Sequence, residues 1–227
     1  MDQPKSLATS KRPLILLFSS FVLAAAFTII VKFVDVQPIG PEGSKVGLAG
    51  LNSIVFLNIG ESPFWRQLTD FLGIALGVVV VAYVIFAIIR LVRTKSLKKL
   101  NRELLMLGFF YLVLAIIYLV FEKLLIVNFR PILIDGALEA SYPSSHTLFA
   151  LAICGSAIMV NSRLFSGLAS KVLNIVLCIL APLIVIGRLL SGVHWFTDIA
   201  GGVLFAAVLL ASFSFALSFH SPKAPKV

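Results

Sequence analysis

The sequence predicts an all-α integral membrane bundle of six transmembrane helices, folded as a single membrane domain over residues 1–227. Three observations predict it. Apolar residues make up 59% of the chain and the mean hydropathy is +1.05, against roughly 45–50% apolar usage in soluble domains. Only 13% of residues are charged, too few to cover a core of that size, so the aliphatic side chains must face lipid. The apolar residues also gather in six uncharged runs that lack the alternation of a barrel strand. Runs of that kind are helical, because backbone groups in hydrocarbon must be paired within the segment. A water-soluble globule, a disordered chain, a collagen and a coiled coil are excluded by the same composition.

The first run, 13–31, follows a basic start at Lys5, Lys11 and Arg12 and contains the small residues Ala24 to Ala26. That combination resembles a secretory signal, but the run continues to Val31 without a polar cleavage region, so a retained first span is expected. A loop from about Lys32 to Asp70 follows. Its mildly apolar stretch, Val46 to Ile59, is too short to span; with Phe64 and Trp65 it is expected at the interface. The second and third runs, 71–89 and 104–121, approach the ~20 residues that a bilayer requires. The fourth, 147–160, is short enough to be a buried or re-entrant segment, and its span needs support from topology. Runs at 172–187 and 199–219 complete the six. Pro182 and the Gly73 to Gly77 pair are read as kinking and packing features. Cys154 and Cys178 have no metal or redox spacing and are read as small buried hydrophobes.

The chain carries 19 Lys+Arg and 10 Asp+Glu, for a net charge of +9. If all six runs span with both termini cytoplasmic, thirteen of the cations lie inside: Lys5, Lys11, Arg12, Arg90, Arg93, Lys95, Lys98, Lys99, Arg102, Arg163, Lys171, Lys223 and Lys226. Six lie outside with eight of the ten acids. The basic charge is therefore a topology signal. A nucleic-acid partner is not expected, because the densest cluster, Arg90 to Arg102, is short, juxtamembrane and free of aromatic interleaving.

Three groups of polar residues sit at the outer helix ends, where ionisable side chains are functional candidates by default. Lys123 and Arg130-Pro131 leave the third run. If that helix continues to Arg130, the two cations share a face; the other reading is an ordinary pair snorkelling toward headgroups. Tyr142-Pro143-Ser144-Ser145-His146-Thr147 precedes the fourth run, and a helix start of this kind presents free N–H groups and a positive dipole end to a phosphate. His146, otherwise an interfacial histidine, becomes a candidate proton donor beside such an anion site. Between the fifth and sixth runs lie Arg188, His194 and Asp198. Four residues apart at a helix start, the carboxylate can hold one ring nitrogen while the other faces a substrate, unless the two form a purely structural pair.

Lys-x6-Arg-Pro, Pro-Ser-x-His and Arg-x5-His-x3-Asp, in that order, resemble the three signature motifs of the type 2 phosphatidic acid phosphatase (PAP2) superfamily, whose core is shared with vanadium haloperoxidases. The resemblance covers about residues 104–215. It implies that Lys123, Arg130 and Arg188 bind phosphate oxygens, helped by the Ser144 side chain and the Ser145 backbone. It further implies that His194 attacks phosphorus, Asp198 orients it and His146 protonates the leaving oxygen. Three cations answer the positioning and charge stabilisation that phosphoryl transfer needs. They would also repel a divalent ion, so neither a metal nor another cofactor is expected. Two positions depart from the pattern: Ser145 stands where the family most often has Gly, and Gly187 where it most often has Ser. Both put substrate preference in question more than activity.

The expected function is that of a multi-pass cell-membrane lipid phosphatase with its site on the outer face, acting through a phosphohistidine. Undecaprenyl pyrophosphate is the favoured substrate, then phosphatidic acid or phosphatidylglycerophosphate. A lipid phosphotransferase using the same residues, and a non-catalytic anion or lipid transporter, are the rival readings. All three polar groups share a side only if the fourth run spans, which argues that it does. His220 has no arguable role, and oligomeric state is not legible.

Overall fold

The computed structural model describes residues 11–219. Its elements are α1 (Lys11–Phe33), α2 (Ala49–Ile59), α3 (Pro63–Thr94), α4 (Arg102–Lys123), α5 (Ser145–Leu164), α6 (Gly167–Leu190) and α7 (Phe196–Ser218). Six of these, all but α2, are long and apolar enough to cross a membrane. Among the described residues no strand forms, and only isolated bridges join loop segments. The bundle is therefore all-α with six candidate spans. Lys5, His220, Lys223 and Lys226 lie outside the described residues.

The short fourth run is part of a full span. The helix begins two residues earlier than the uncharged stretch, at Ser145, and runs to Leu164, 20 residues in all. It is also the centre of the bundle, packed on α3, α4, α6 and α7, and its apolar window is 56% buried, the largest share of the six. That position explains its weak signal. A helix surrounded by protein needs small residues for close approach more than it needs lipid-facing aliphatics, and Ala150, Ala152, Ser156 and Ala157 are fully buried. On its inner half, Asn161 accepts from Tyr83 on α3 and donates to Asn174 on α6, pairing the polar groups that the packing buries. The outer helices α1 and α3 instead present exposed Leu, Ile, Val and Phe.

Two readings need correction. Cys154 is buried, but Cys178 is exposed on α6. In a bilayer an apolar side chain gains little by leaving lipid for protein, so apolar surroundings in sequence do not fix burial. The third spanning helix also does not run on to Arg130. It ends at Lys123, with Leu124 as its cap, and the chain then folds into a hairpin-like loop with bridges Phe129↔Ala140 and Ile134↔Ala137. Pro131 disfavours helical backbone at Arg130, and Arg130 N–H donates to Glu139 O at 3.0 Å, fixing the loop register.

The interfacial stretch is the short helix α2, which packs against α7. Its buried Asn52 accepts from Thr197 N–H at 3.1 Å and donates to Gly47 O at 2.8 Å. Arg163 at the end of α5 pairs with Glu103 at the start of α4 at 3.9 Å, joining the basic loops at one end of the bundle, while contacts of Arg130 with His194 and of Asp70 with His146 and Arg188 join the motif groups at the other.

Candidate active site

His194 lies in the loop directly before α7, one residue ahead of its N-cap Trp195. It is 3% exposed, between Arg130 on the α4–α5 loop and Asp198 in the first turn of α7. Arg130 Nη1 is 3.2 Å from His194 Nε2. A guanidinium has no acceptor, so the Nε2 lone pair accepts this bond and the ring proton sits on Nδ1. Nδ1 in turn faces Asp198 Oδ2 at 3.6 Å. Burial, reinforced by the positive charges of Arg130 and Arg188, holds the His194 imidazole well below the ordinary histidine range, so it is neutral. The Nε2 lone pair is therefore engaged by Arg130, and a neutral imidazole released from such a bond has the lone pair that nucleophilic attack needs.

Asp198 is fixed before it does anything for His194. The carboxylate is fully buried. Its Oδ2 accepts from Trp195 N–H at 2.9 Å, capping α7, and its Oδ1 accepts from Asn128 Nδ2 at 3.2 Å. Asn128 also donates to Thr197 Oγ1 at 3.3 Å and accepts from Gly47 N–H at 3.2 Å. This buried relay ties α2, the α4–α5 loop and the start of α7 together behind the imidazole. Asp198 is thus held by backbone and amide donors, with its Oδ2 standing 3.6 Å from His194 Nδ1.

Ser144 is the N-cap of α5, fully buried, with its Oγ 3.5 Å from Thr147 N and its own N–H donating to Asp198 O at 2.9 Å. Tyr142 Oη bonds Thr28 on α1 at 2.8 Å, and burial pushes its phenol up to about 12. Gly201 and Gly202 allow α7 to lie against this turn, since a Cβ on either would come within 3.0 Å of Tyr142 or Thr147 atoms. Ser145, in contrast to Ser144, borders a cavity of ≈ 10 Å³ together with Arg130, Tyr118, Glu122 and His194. That volume holds about one water.

The second histidine and the last cation meet elsewhere in the site. His146 Nε2 lies 3.4 Å from Asp70 Oδ1 on α3. Arg188, 3% exposed at the end of α6, donates from Nη1 to the same Asp70 oxygen at 2.8 Å and to Thr69 Oγ1 at 3.3 Å. Its Nε is buried without a partner among the described residues.

Of the eight residues singled out from the sequence, the structure thus brings Arg130, Ser145, His194 and Asp198 into one cluster and His146 and Arg188 into an adjoining one through Asp70. Ser144 is enclosed as a cap. Lys123 is exposed at the end of α4, with no hydrogen bond or ion pair among the described residues. Three carboxylate or amide partners were missed in the sequence: Asp70, Asn128 and Glu139, whose Oε2 accepts from Arg130 Nε at 2.9 Å. Glu139 had one available signal, its place in the loop between two motifs.

Residues 121–221 match the family model of the PAP2 superfamily. No curated protein sequence matches the chain. Among solved structures the chain is similar to the first transmembrane PAP2 type phosphatidylglycerolphosphate phosphatase from Bacillus subtilis, with a TM-score of 0.55 and 19% identity over 95% of this chain and 100% of that one. At that identity the likeness is one of fold.

Proposed function

From a PAP2 superfamily region that contains all eight of those residues, we propose that this protein is a membrane lipid phosphatase, with His194 as its nucleophile. The observation that carries the reading is the orientation of His194: a neutral, buried ring with Nε2 toward Arg130 and Nδ1 toward Asp198. In this reading the substrate phosphate takes Arg130 as its counter-ion, freeing the Nε2 lone pair. Nε2 attacks phosphorus, the bond from phosphorus to the lipid oxygen breaks, and His146 supplies a proton to that oxygen. The positive charge developing on the ring is met by Asp198, a contact that shortens into a hydrogen bond. Water then gives a proton to His146 and attacks phosphorus, the bond from phosphorus to His194 Nε2 breaks and phosphate is released, with no metal in either step. Arg188 and the Ser145 backbone complete the phosphate cradle, the Ser144 side chain joining once its cap loosens, and Lys123 reaches in from the end of α4 when substrate is bound.

A site at helix ends suits a headgroup whose tail stays in the bilayer. The reading keeps both termini cytoplasmic and the site outside, on the charge bias of the loops. Undecaprenyl pyrophosphate is the substrate favoured from the sequence; phosphatidylglycerophosphate, which the description of the similar structure names for that protein, and phosphatidic acid are its competitors. Phosphate release by the purified protein from each lipid, with EDTA present, tests the reading. Release that persists in EDTA and is lost in His194→Ala supports it; equal rates for wild type and His194→Ala refute it.

A further inference from the structure

Every site residue read from the sequence comes from the stretch between Lys123 and Asp198, yet the structure brings a further element to the same place. The outer end of α3 presents Thr69, Asp70 and Gly73 to the site. Gly187, one of the two departures from the family pattern, is what lets it approach: a Cβ there would meet Thr69 Cγ2 at 2.5 Å and the Trp65 ring at 3.1 Å. A Cβ on Gly73 would lie 3.1 Å from His146 Nε2. Where the family has a hydroxyl just before the arginine, this chain has a gap filled by α3, and the Thr69 hydroxyl reaches Arg188 from across the helix interface at 3.3 Å.

Asp70 is the charged member of that face. One of its oxygens, Oδ1, lies 2.8 Å from Arg188 Nη1 and 3.4 Å from His146 Nε2. Arg188 is almost fully buried, whereas Asp70 is half exposed. The carboxylate therefore holds a buried cation from the open side. It occupies Nη1, while the guanidinium's Nε remains buried and unpartnered. A buried N–H donor without an acceptor is costly, and an anion oxygen would satisfy it. Arg130 is also held by a carboxylate: Glu139 takes its Nε at 2.9 Å, and its Nη1 reaches His194 Nε2 and Val193 O.

We propose that Asp70 is a positioning residue, resting on the phosphatase reading above: its carboxylate orients Arg188 and His146 together, so that the Nε edge of Arg188 is presented to the phosphate and Nε2 of His146 is held beside the leaving oxygen. Thr69 and Gly187 set the approach of α3 that makes this possible. Asp70 is thus a specificity element for how the phosphate is gripped, supplied from outside residues 121–221.

The test compares Asp70→Glu, Asp70→Asn and Asp70→Ala with wild type, reading kcat and KM for lipid-phosphate hydrolysis and inhibition by orthovanadate, a phosphate-like oxyanion. Melting temperature in detergent serves as the folding control, and Gly187→Ser is a second route to the same disruption by pushing α3 away. A charge-assisted hydrogen bond is worth about ten- to a hundredfold. The expected result is a loss of that size in kcat/KM for Asp70→Ala together with a lowered melting temperature, weaker orthovanadate inhibition, a smaller loss of kcat/KM for Asp70→Asn with melting nearer that of wild type, and recovery in Asp70→Glu. Unchanged kinetics in Asp70→Ala, with His194→Ala inactive, would overturn this inference and leave the phosphatase reading standing. Tighter orthovanadate inhibition in Asp70→Asn would also overturn it, because Asp70 would then act by repelling phosphate. A wild type that releases no phosphate would bring down the reading and this inference with it.

Discussion

His194 keeps its proton off Nε2 because everything around it is arranged against a second one: burial and two arginines. The sign of the consequence follows. Its folded pKa lies below the ordinary 6.5, so the unfolded chain binds a proton as pH falls through about 6.5 while the folded one does not, and stability is lost on the acid side. The melting temperature in detergent should therefore fall between pH 7.5 and pH 5, and His194→Ala should remove part of that fall; parallel slopes in the two proteins would contradict the assignment. Asp198→Asn should lower turnover about a hundredfold or more while KM changes little, because the ring loses its partner as charge develops. It should also cost about 1–3 kcal/mol of stability, since Trp195 and Asn128 share the same carboxylate. That His194 and Asp198 lie together was legible in the sequence, because they stand four residues apart at a helix start. Asp70 was not: it lies far from Arg188 in sequence, and a single acid near a helix start carries no spacing to read.

Helix packing decides which of these side chains meet. Glycines mark the close approaches: Gly201 and Gly202 set α7 on the first turn of α5, and Gly155 sets α5 on Leu210 of α7, where a Cβ would come within 2.7 Å. Gly202→Val should destabilise by about 1–3 kcal/mol through overpacking and should lower activity as well, because Ser144 O and Thr147 lie against it; a normal melting temperature with normal turnover would show that the contact is looser than the structure has it. Six runs predicted six spans, and the boundaries moved mainly where charged or polar residues continue a helix: α3 extends to Pro63–Thr94 around the predicted 71–89. The end of α4 was not legible, because Lys123 and Arg130 seven residues apart fit one helical face equally well. The pairing of Phe129 with Ala140 that breaks the helix is a contact between residues eleven apart in sequence, invisible to local periodicity.

The whole molecule has two unlike ends. One carries the basic loops around Arg90 to Arg102 and Arg163 to Lys171, with Glu103 beside Arg163; the other carries His146, His194, the remaining acids among the described residues and the phosphate-binding candidates. In the proposed orientation, argued from charge bias, the first lies inside, and labelling of a single cysteine at position 135, in a background lacking Cys154 and Cys178, should succeed with an impermeant reagent added outside; reaction only after the membrane is opened would reverse the orientation. The fold class was legible because composition alone demands lipid-facing helices, and the gathering of the polar side chains was legible because they are concentrated in three short segments. Substrate identity is not written in either, since the aliphatic faces of the helices suit one prenyl chain or two acyl chains alike. The most direct test of the central claim is phosphate release by purified protein in detergent with EDTA, from phosphatidylglycerophosphate, undecaprenyl pyrophosphate and phosphatidic acid, alongside His194→Ala. The account predicts EDTA-resistant release from at least one lipid that the substitution abolishes in a protein of normal melting temperature; release that survives His194→Ala, or none from any of the three, would contradict it.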